Sequence, residues 1–276
     1  MSAPDIAVVV VTWDSEETLD ACLTRLRAAE GVVEIRVVDC NSTDTTMAIV
    51  QRHAVVDPRL HFIANPDHPG LGPACNQGVA DSRAPWLALL DPGCLIEPDT
   101  LMQLRDRAAS GNALVGADPV DEAGVREPEA RLRDSGSNSA DWRWPRLEPA
   151  PITAEELQDV TAISGAVMML SRALFEALGG FNPAYFTGIG NLDLCRRAHS
   201  AGARVACANA VRITRISGMA ARTHPLHLTW HQRLDASRYL WRCGPRTAAL
   251  LACPRIWARF PLDLLRVLAR TGAQAP

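Results

Sequence analysis

Short β-branched runs alternating with helical spacing leave this chain few folds to choose from. Ile6–Thr12 reads as a strand, followed by a helix over 16–29 with Leu19, Cys22, Leu23 and Leu26 on one face and Ser15 at its N-cap. Residues 32–38 form a second strand ending in Asp39, and Asn41-Ser42-Thr43-Asp44 a turn that caps a helix to about Arg52. A strand (60–64), a helix (70–82), a strand (86–90), a helix from Pro98 to Ala109 and a short strand (113–115) continue the pattern. Apolar runs this short are buried on both faces, which predicts a mostly parallel, doubly wound α/β sheet with right-handed crossovers.

The alternation lapses over 117–159, where acids, Arg, Pro and Ser surround Trp142 and Trp144. A loop of that length in a compact domain is functional or mobile. A strand (162–170), a helix (171–178) closed by Gly179-Gly180, a helix from about Asn191 to Ala201 and strands at 204–208 and 211–214 then follow. Residues 224–270 read as amphipathic helices interrupted at Pro245, Pro254 and Pro261. The spacing therefore predicts a body over 1–221 and a helical extension over 222–276.

Charge divides the chain at the same place. Nine Arg and two acids after residue 221 give +7, so a total of −3 leaves −10 on the body. An acidic body without a recognition motif argues against nucleic-acid binding. All 28 basic residues are Arg, the mark of a GC-rich genome. The eight cysteines form no Cys-x-x-Cys pair and sit in apolar surroundings, as reduced thiols of a cytoplasmic protein do. Ile6–Val11 is too short for a signal-peptide core, and no apolar stretch reaches the roughly 18 residues of a spanning helix.

Chemistry enters at Asp91. In an open α/β sheet, ligands bind beyond the carboxyl ends of the strands, and Asp91 directly follows the apolar run 86–90. A carboxylate there can hold a divalent cation against substrate phosphates. Two acids one residue apart would make a recognisable metal site; here the second position is Gly93.

The order of pieces resembles the family 2 glycosyltransferases, which use nucleotide-sugar donors on a single Rossmann-like domain called GT-A, and most closely their rhamnosyltransferase-like subgroup. The resemblance covers about residues 5–218. It is carried by Val8–Ser15, Val37–Asp44, Asn65-Pro66 through Gly70-Leu71-Gly72 to Asn76-Gln77-Gly78, Leu89–Pro92, Ser164-Gly165-Ala166, and Gly179-Gly180-Phe181 followed by Leu192–Cys195. It implies donor contacts from Thr12, Trp13, Asp39, Asn76 and Asp91. Asp39 would read the nucleotide, Trp13 stack on its base, and Asp91 hold Mg²⁺ or Mn²⁺.

Three positions depart from the family pattern. Gly93 replaces the second acid of Asp-x-Asp. Gly190-Asn191 replaces the Glu-Asp whose carboxylate deprotonates the acceptor hydroxyl, and neither residue can act as a general base. Asp193 is the nearest substitute, though a helix turns it roughly 200° from position 191. Thr214-Arg215-Ile216 replaces a frequent His, and the Arg215 fork matches phosphate geometry. The resemblance thus implies an inverting transferase moving rhamnose or another deoxyhexose to a cell-envelope or lipid-linked glycan; a GT-A-fold binding or scaffold subunit is the alternative. Trp230, Tyr239, Trp241 and Trp257, interleaved with Arg, suit the inner face of the plasma membrane, a helical pack against the sheet, or a dimer surface.

Overall fold

A computed structural model describes residues 5–134, 147–216, 224–258 and 260–261. β1 (Ile6–Thr12), α1 (Glu16–Ala28), β2 (Val32–Cys40), α2 (Thr46–Val56), β3 (Leu60–Asn65), α3 (Leu71–Ala80) and β4 (Trp86–Leu90) follow the predicted order. After β5 (Cys94–Leu95) come α4 (Thr100–Ala109), β6 (Ala113–Val120), β7 (Arg131–Asp134), β8 (Leu147–Pro149), β9 (Leu157–Asp159), β10 (Ala162–Ile163) and β11 (Val167–Ser171). α5 (Arg172–Ala177), α6 (Ile189–Ser200), β12 (Arg204–Arg215), α7 (Pro225–Cys243) and α8 (Arg246–Ala258) complete the described chain.

The main sheet runs β3-β2-β1-β4-β11-β6-β12-β5, with β9 on the side of β12. β1, β2, β3 and β4 pair in parallel, as do β6 and β12; β11 runs antiparallel between β4 and β6. Alternation along β1 shows why the runs are apolar throughout. Ile6, Val8 and Val10 face a core filled from α1, α2 and α4, while Ala7 and Val9 face one filled from α3, α5 and α6. Each fully buried Val or Leu contributes about 2 kcal/mol, so both faces demand hydrophobes. Parallel register sets Thr12 beside Asp39 and Val10 beside Leu90, which brings the carboxyl ends of β1, β2 and β4 to one edge.

Three expectations are corrected. The segment 117–159 is not one long loop: it carries the end of β6, then β7 and β8, which with β10 make a three-stranded antiparallel sheet, and β9. Its core is charged. Arg131, 2% exposed, pairs with the fully buried Asp118 and donates from Nε to Asn209 Oδ1 at 2.9 Å. Hydrophobic periodicity cannot register a sheet anchored by a buried ion pair. The predicted strand 162–170 divides into β10 and β11, which lie in different sheets. The two strands predicted over 204–214 are one, with a register shift between Cys207 and Arg212. Trp142, Trp144 and the 221/222 boundary lie outside the described residues.

The extension packs on the body. Asp235 of α7 is fully buried and accepts from Phe186 N (2.9 Å), Thr187 N (2.7 Å) and Thr187 Oγ1 (2.9 Å). Tyr185 and Tyr239 meet edge to face beside it. All eight cysteines are unpaired, six of them buried. Among the described residues no helix is long and apolar enough to cross a membrane.

Candidate active site

Thr12 and Asp39 meet at the carboxyl edge as the register requires. Asp39 is 2% exposed and accepts from Thr12 Oγ1 at 2.9 Å, Ser42 Oγ at 2.5 Å and Ser42 N at 3.0 Å. A carboxylate offers about four acceptor sites, so one remains for a ribose hydroxyl or base imide. The turns after β1 and β2 lock together. Asp44 accepts from Glu16 N, while Glu16 accepts from Thr45 N and Oγ1, each pair of groups serving the other's helix start. Ser15 occupies the N-cap of α1, but its side chain makes no capping bond.

Trp13 projects from this edge, and its face is covered. The His224 ring, just ahead of α7, stacks on it with centroids 3.6 Å apart and planes 3° from parallel. His224 Nε2 lies 2.6 Å from Asp14 Oδ2, and Asp14 also accepts from Thr43 N at 2.6 Å. Burial opposes ionisation of Asp14, but the Thr43 amide and His224 ring outweigh it and hold its carboxyl below the usual range. His68 meets Trp13 edge-on, and Phe186 stacks on His231 beside His227. Burial, then the neighbouring histidines, depress His68 to about 4, and burial likewise lowers His227 and His231.

At the end of β4, each Asp91 oxygen accepts one hydrogen bond. Oδ1 accepts from Gly93 N at 2.8 Å and Oδ2 from Arg215 Nη2 at 2.9 Å. Arg215 Nη1 donates to Glu127 Oε2 at 3.1 Å and Ser164 Oγ at 3.4 Å. Burial works against the guanidinium charge, yet Asp91 and Glu127 raise its pKa above the ordinary arginine value. These residues do not fit a divalent ion as expected for Asp91. Mg²⁺ would lie about 2.1 Å from a ligating oxygen, against a guanidinium already bonded to it. No group of three His, Cys, Asp or Glu among the described residues could hold a metal.

Gly93 has a steric reason. A Cβ there would lie 2.5 Å from the Ile216 carbonyl oxygen, because Ile216 N bonds Gly93 O at 2.9 Å. The second acid of the metal motif has no room while β12 ends at this point.

The edge, its acids and its topology belong together. Residues 7–179 match glycosyl transferase family 2. The chain belongs to that family. It is 37% identical over 119 residues to the succinoglycan biosynthesis protein ExoO of Rhizobium meliloti, across 43% of this chain and 34% of that protein, and so spans about a third of that relative's length. It is 27% identical over 228 residues to the N-acetylglucosaminyl-diphospho-decaprenol L-rhamnosyltransferase of Mycobacterium tuberculosis, across 71% of each. Among solved structures, the mannosyltransferase PcManGT of Pyrobaculum calidifontis, in complex with GDP-Man and Mn²⁺, matches at TM-score 0.63 and 17% identity over 100% of this chain and 77% of that one. S. aureus TarS 1–349 with UDP-GlcNAc matches at 0.60 and 16%, over 94% and 72%. The fold is GT-A.

In this family 2 chain the remaining predicted site residues are engaged with neighbouring groups. Asn76 directs its amide at the backbone of Phe181, donating from Nδ2 to O at 2.9 Å and accepting from N at 2.8 Å, which clamps the Gly179-Gly180-Phe181 turn. Asp193, the nearest substitute for the missing base, is also held by its own neighbours. Its side chain is 2% exposed, with Oδ1 bonded to Arg196 and Oδ2 to Arg197, so it lies buried in an ion pair on α6. Asn191 presses on Gly165, whose Cβ would lie 2.2 Å from Asn191 Nδ2. Sequence reasoning missed Glu127 and His224. Glu127 closes the turn where Val120 bridges Arg126, a turn signalled only by Asp121 and Gly124. His224 carries no local signal, since its partner Asp14 is 210 residues away.

Proposed function

We propose that this chain transfers a sugar, rhamnose or another deoxyhexose, from a nucleoside diphosphate to a hydroxyl of a cell-envelope or lipid-linked glycan. One observation carries the reading: Asp39 and Thr12 meet at the carboxyl ends of the paired strands β2 and β1, and Asp91, after β4 on the other side of β1, holds Arg215 from the end of β12 at the same edge, one pair able to take a nucleoside and the other its diphosphate. The name and matched span of the M. tuberculosis relative support the acceptor class.

Asp39 accepts from the nucleoside, and Trp13 stacks on its base once the His224 ring has left. The acceptor oxygen attacks the anomeric carbon in line and inverts it: the new glycosidic bond forms as the bond to the nucleoside diphosphate breaks, the hydroxyl proton passes to solvent, and the diphosphate leaves paired with Arg215. Ser164, Gly165 and Asn191 line the acceptor side. No step runs through a divalent ion. The residues over 1–221 perform this chemistry, and the extension over 222–276 closes the nucleoside end. Leu226, Trp230, Trp241, Leu250 and Leu251 are exposed on α7 and α8, an apolar surface for an anionic lipid layer at the inner membrane face.

The test is turnover. Purified protein, dTDP-rhamnose, UDP-GlcNAc or GDP-mannose, and a polyprenyl-diphosphate GlcNAc acceptor should yield a sugar-extended lipid by mass spectrometry. Donor binding without transfer across the panel would replace this reading with that of a GT-A binding subunit.

A further inference from the structure

We propose that Arg215 is the resident cation of the donor site, so that this chain holds a nucleoside diphosphate through a guanidinium and needs no added metal. The inference rests on the reading of this edge as a nucleotide-sugar site.

Three elements converge to fix the guanidinium. Asp91 after β4 takes Nη2, while Glu127 after β6 and Ser164 after β10 take Nη1. A guanidinium carries five N–H donors, and these contacts use three. Of the two left, Nε–H is buried without an acceptor among the described residues. A buried unsatisfied donor costs about 1–3 kcal/mol, which an incoming oxygen would recover. The fork of N–H groups matches a phosphate oxygen pair.

The contact that excludes a second carboxylate also supplies the replacement charge. Ile216 lies against Gly93 and forbids a side chain there, and the residue immediately before Ile216 is Arg215. Loss of the metal motif and gain of the cation are therefore one local arrangement of β12 against the Asp91 turn. Asp91 keeps its place in the site but changes its partner, from a metal ion to an arginine.

Isothermal titration with UDP, GDP and dTDP, in EDTA and again in excess Mn²⁺, tests this. The nucleotide bound best should bind with affinities within about twofold in the two buffers. Arg215→Ala should weaken it in EDTA by about 10–100-fold, the value of a charge-assisted contact. Arg215→Lys should fall between, since an ammonium keeps the charge and loses the fork. Thermal unfolding establishes that each variant is folded, and the Lys variant carries the test if the Ala variant is not. Binding that requires Mn²⁺, or that is indifferent to both substitutions, overturns the proposal and leaves the donor site standing. Absence of binding by all three nucleotides in both buffers overturns the donor site as well.

Discussion

Replacing His224 with alanine should tighten nucleoside diphosphate binding. In the folded chain this ring lies parallel to Trp13 at 3.6 Å and 2.6 Å from Asp14, occupying the face a nucleobase would use. Aromatic stacking contributes about 0.5–1.5 kcal/mol beyond burial, and a hydrogen bond to a charged group about 1.5–3 kcal/mol. A nucleotide that must displace both loses about 2–4 kcal/mol of its binding energy. Each 1.4 kcal/mol is tenfold in affinity, so the ceiling on the gain is about 30- to 1,000-fold. Asp235 still pins α7 to Phe186 and Thr187, so the helix itself stays docked. Quenching of tryptophan fluorescence on titration with UDP, GDP and dTDP measures the change; a tenfold gain or more is expected. Unchanged affinity would mean the base does not lie on Trp13. Weakened affinity would mean His224 itself holds the nucleotide.

Three further outcomes follow from the same contacts. The folded pKa of His68, about 4, lies below its ordinary 6.5, so its contribution is complete above about pH 6.5 and lost as pH falls toward 4. From pH 8 to pH 5 wild type should lose about 2 kcal/mol more stability in urea melts than His68→Gln, and parallel pH profiles would refute this. Gly93→Asp should destabilise by about 1–3 kcal/mol, since its Cβ meets backbone at 2.5 Å, and should not confer Mn²⁺-dependent binding; calorimetry with and without Mn²⁺ checks both. Glu127→Gln removes one of the two acids flanking a single guanidinium, leaving the site less negative toward a diphosphate. Affinity should rise several-fold, and a tenfold loss would show that Glu127 serves mainly to position Arg215.

The parallel half of the sheet and its carboxyl edge were legible because parallel strands buried on two faces must be apolar. Thr12 and Asp39 sit in neighbouring strands at matching register, so reading each strand's last residue brought them together. The small sheet was hidden since Arg131 of β7 and Asp118 of β6, which read as solvent-facing charges, neutralise each other where it packs on the main sheet. Asp193 and Asn76 sit at family positions, but which groups their polar atoms satisfy is decided by Arg196, Arg197 and the Phe181 backbone, contacts visible only in the fold. Arg215 could be named from the sequence. Its partner Glu127 lies 88 residues away, in a turn of ordinary composition.

The reversed strand β11 divides labour within the chain. Because it runs against β4, its first residues arrive beside Asp91, whose N–H bonds Ala166 O at 3.0 Å. The short link Ser164–Ala166 joins β10, an edge of the small sheet, to the carboxyl edge of the main sheet beside Asp91. The small sheet is tied to the main sheet at a second place as well, where Arg131 of β7 meets Asp118 of β6 and Asn209 of β12. A substitution that shifts the small sheet therefore moves two anchors at once, the Ser164–Ala166 link and the Arg131 ion pair.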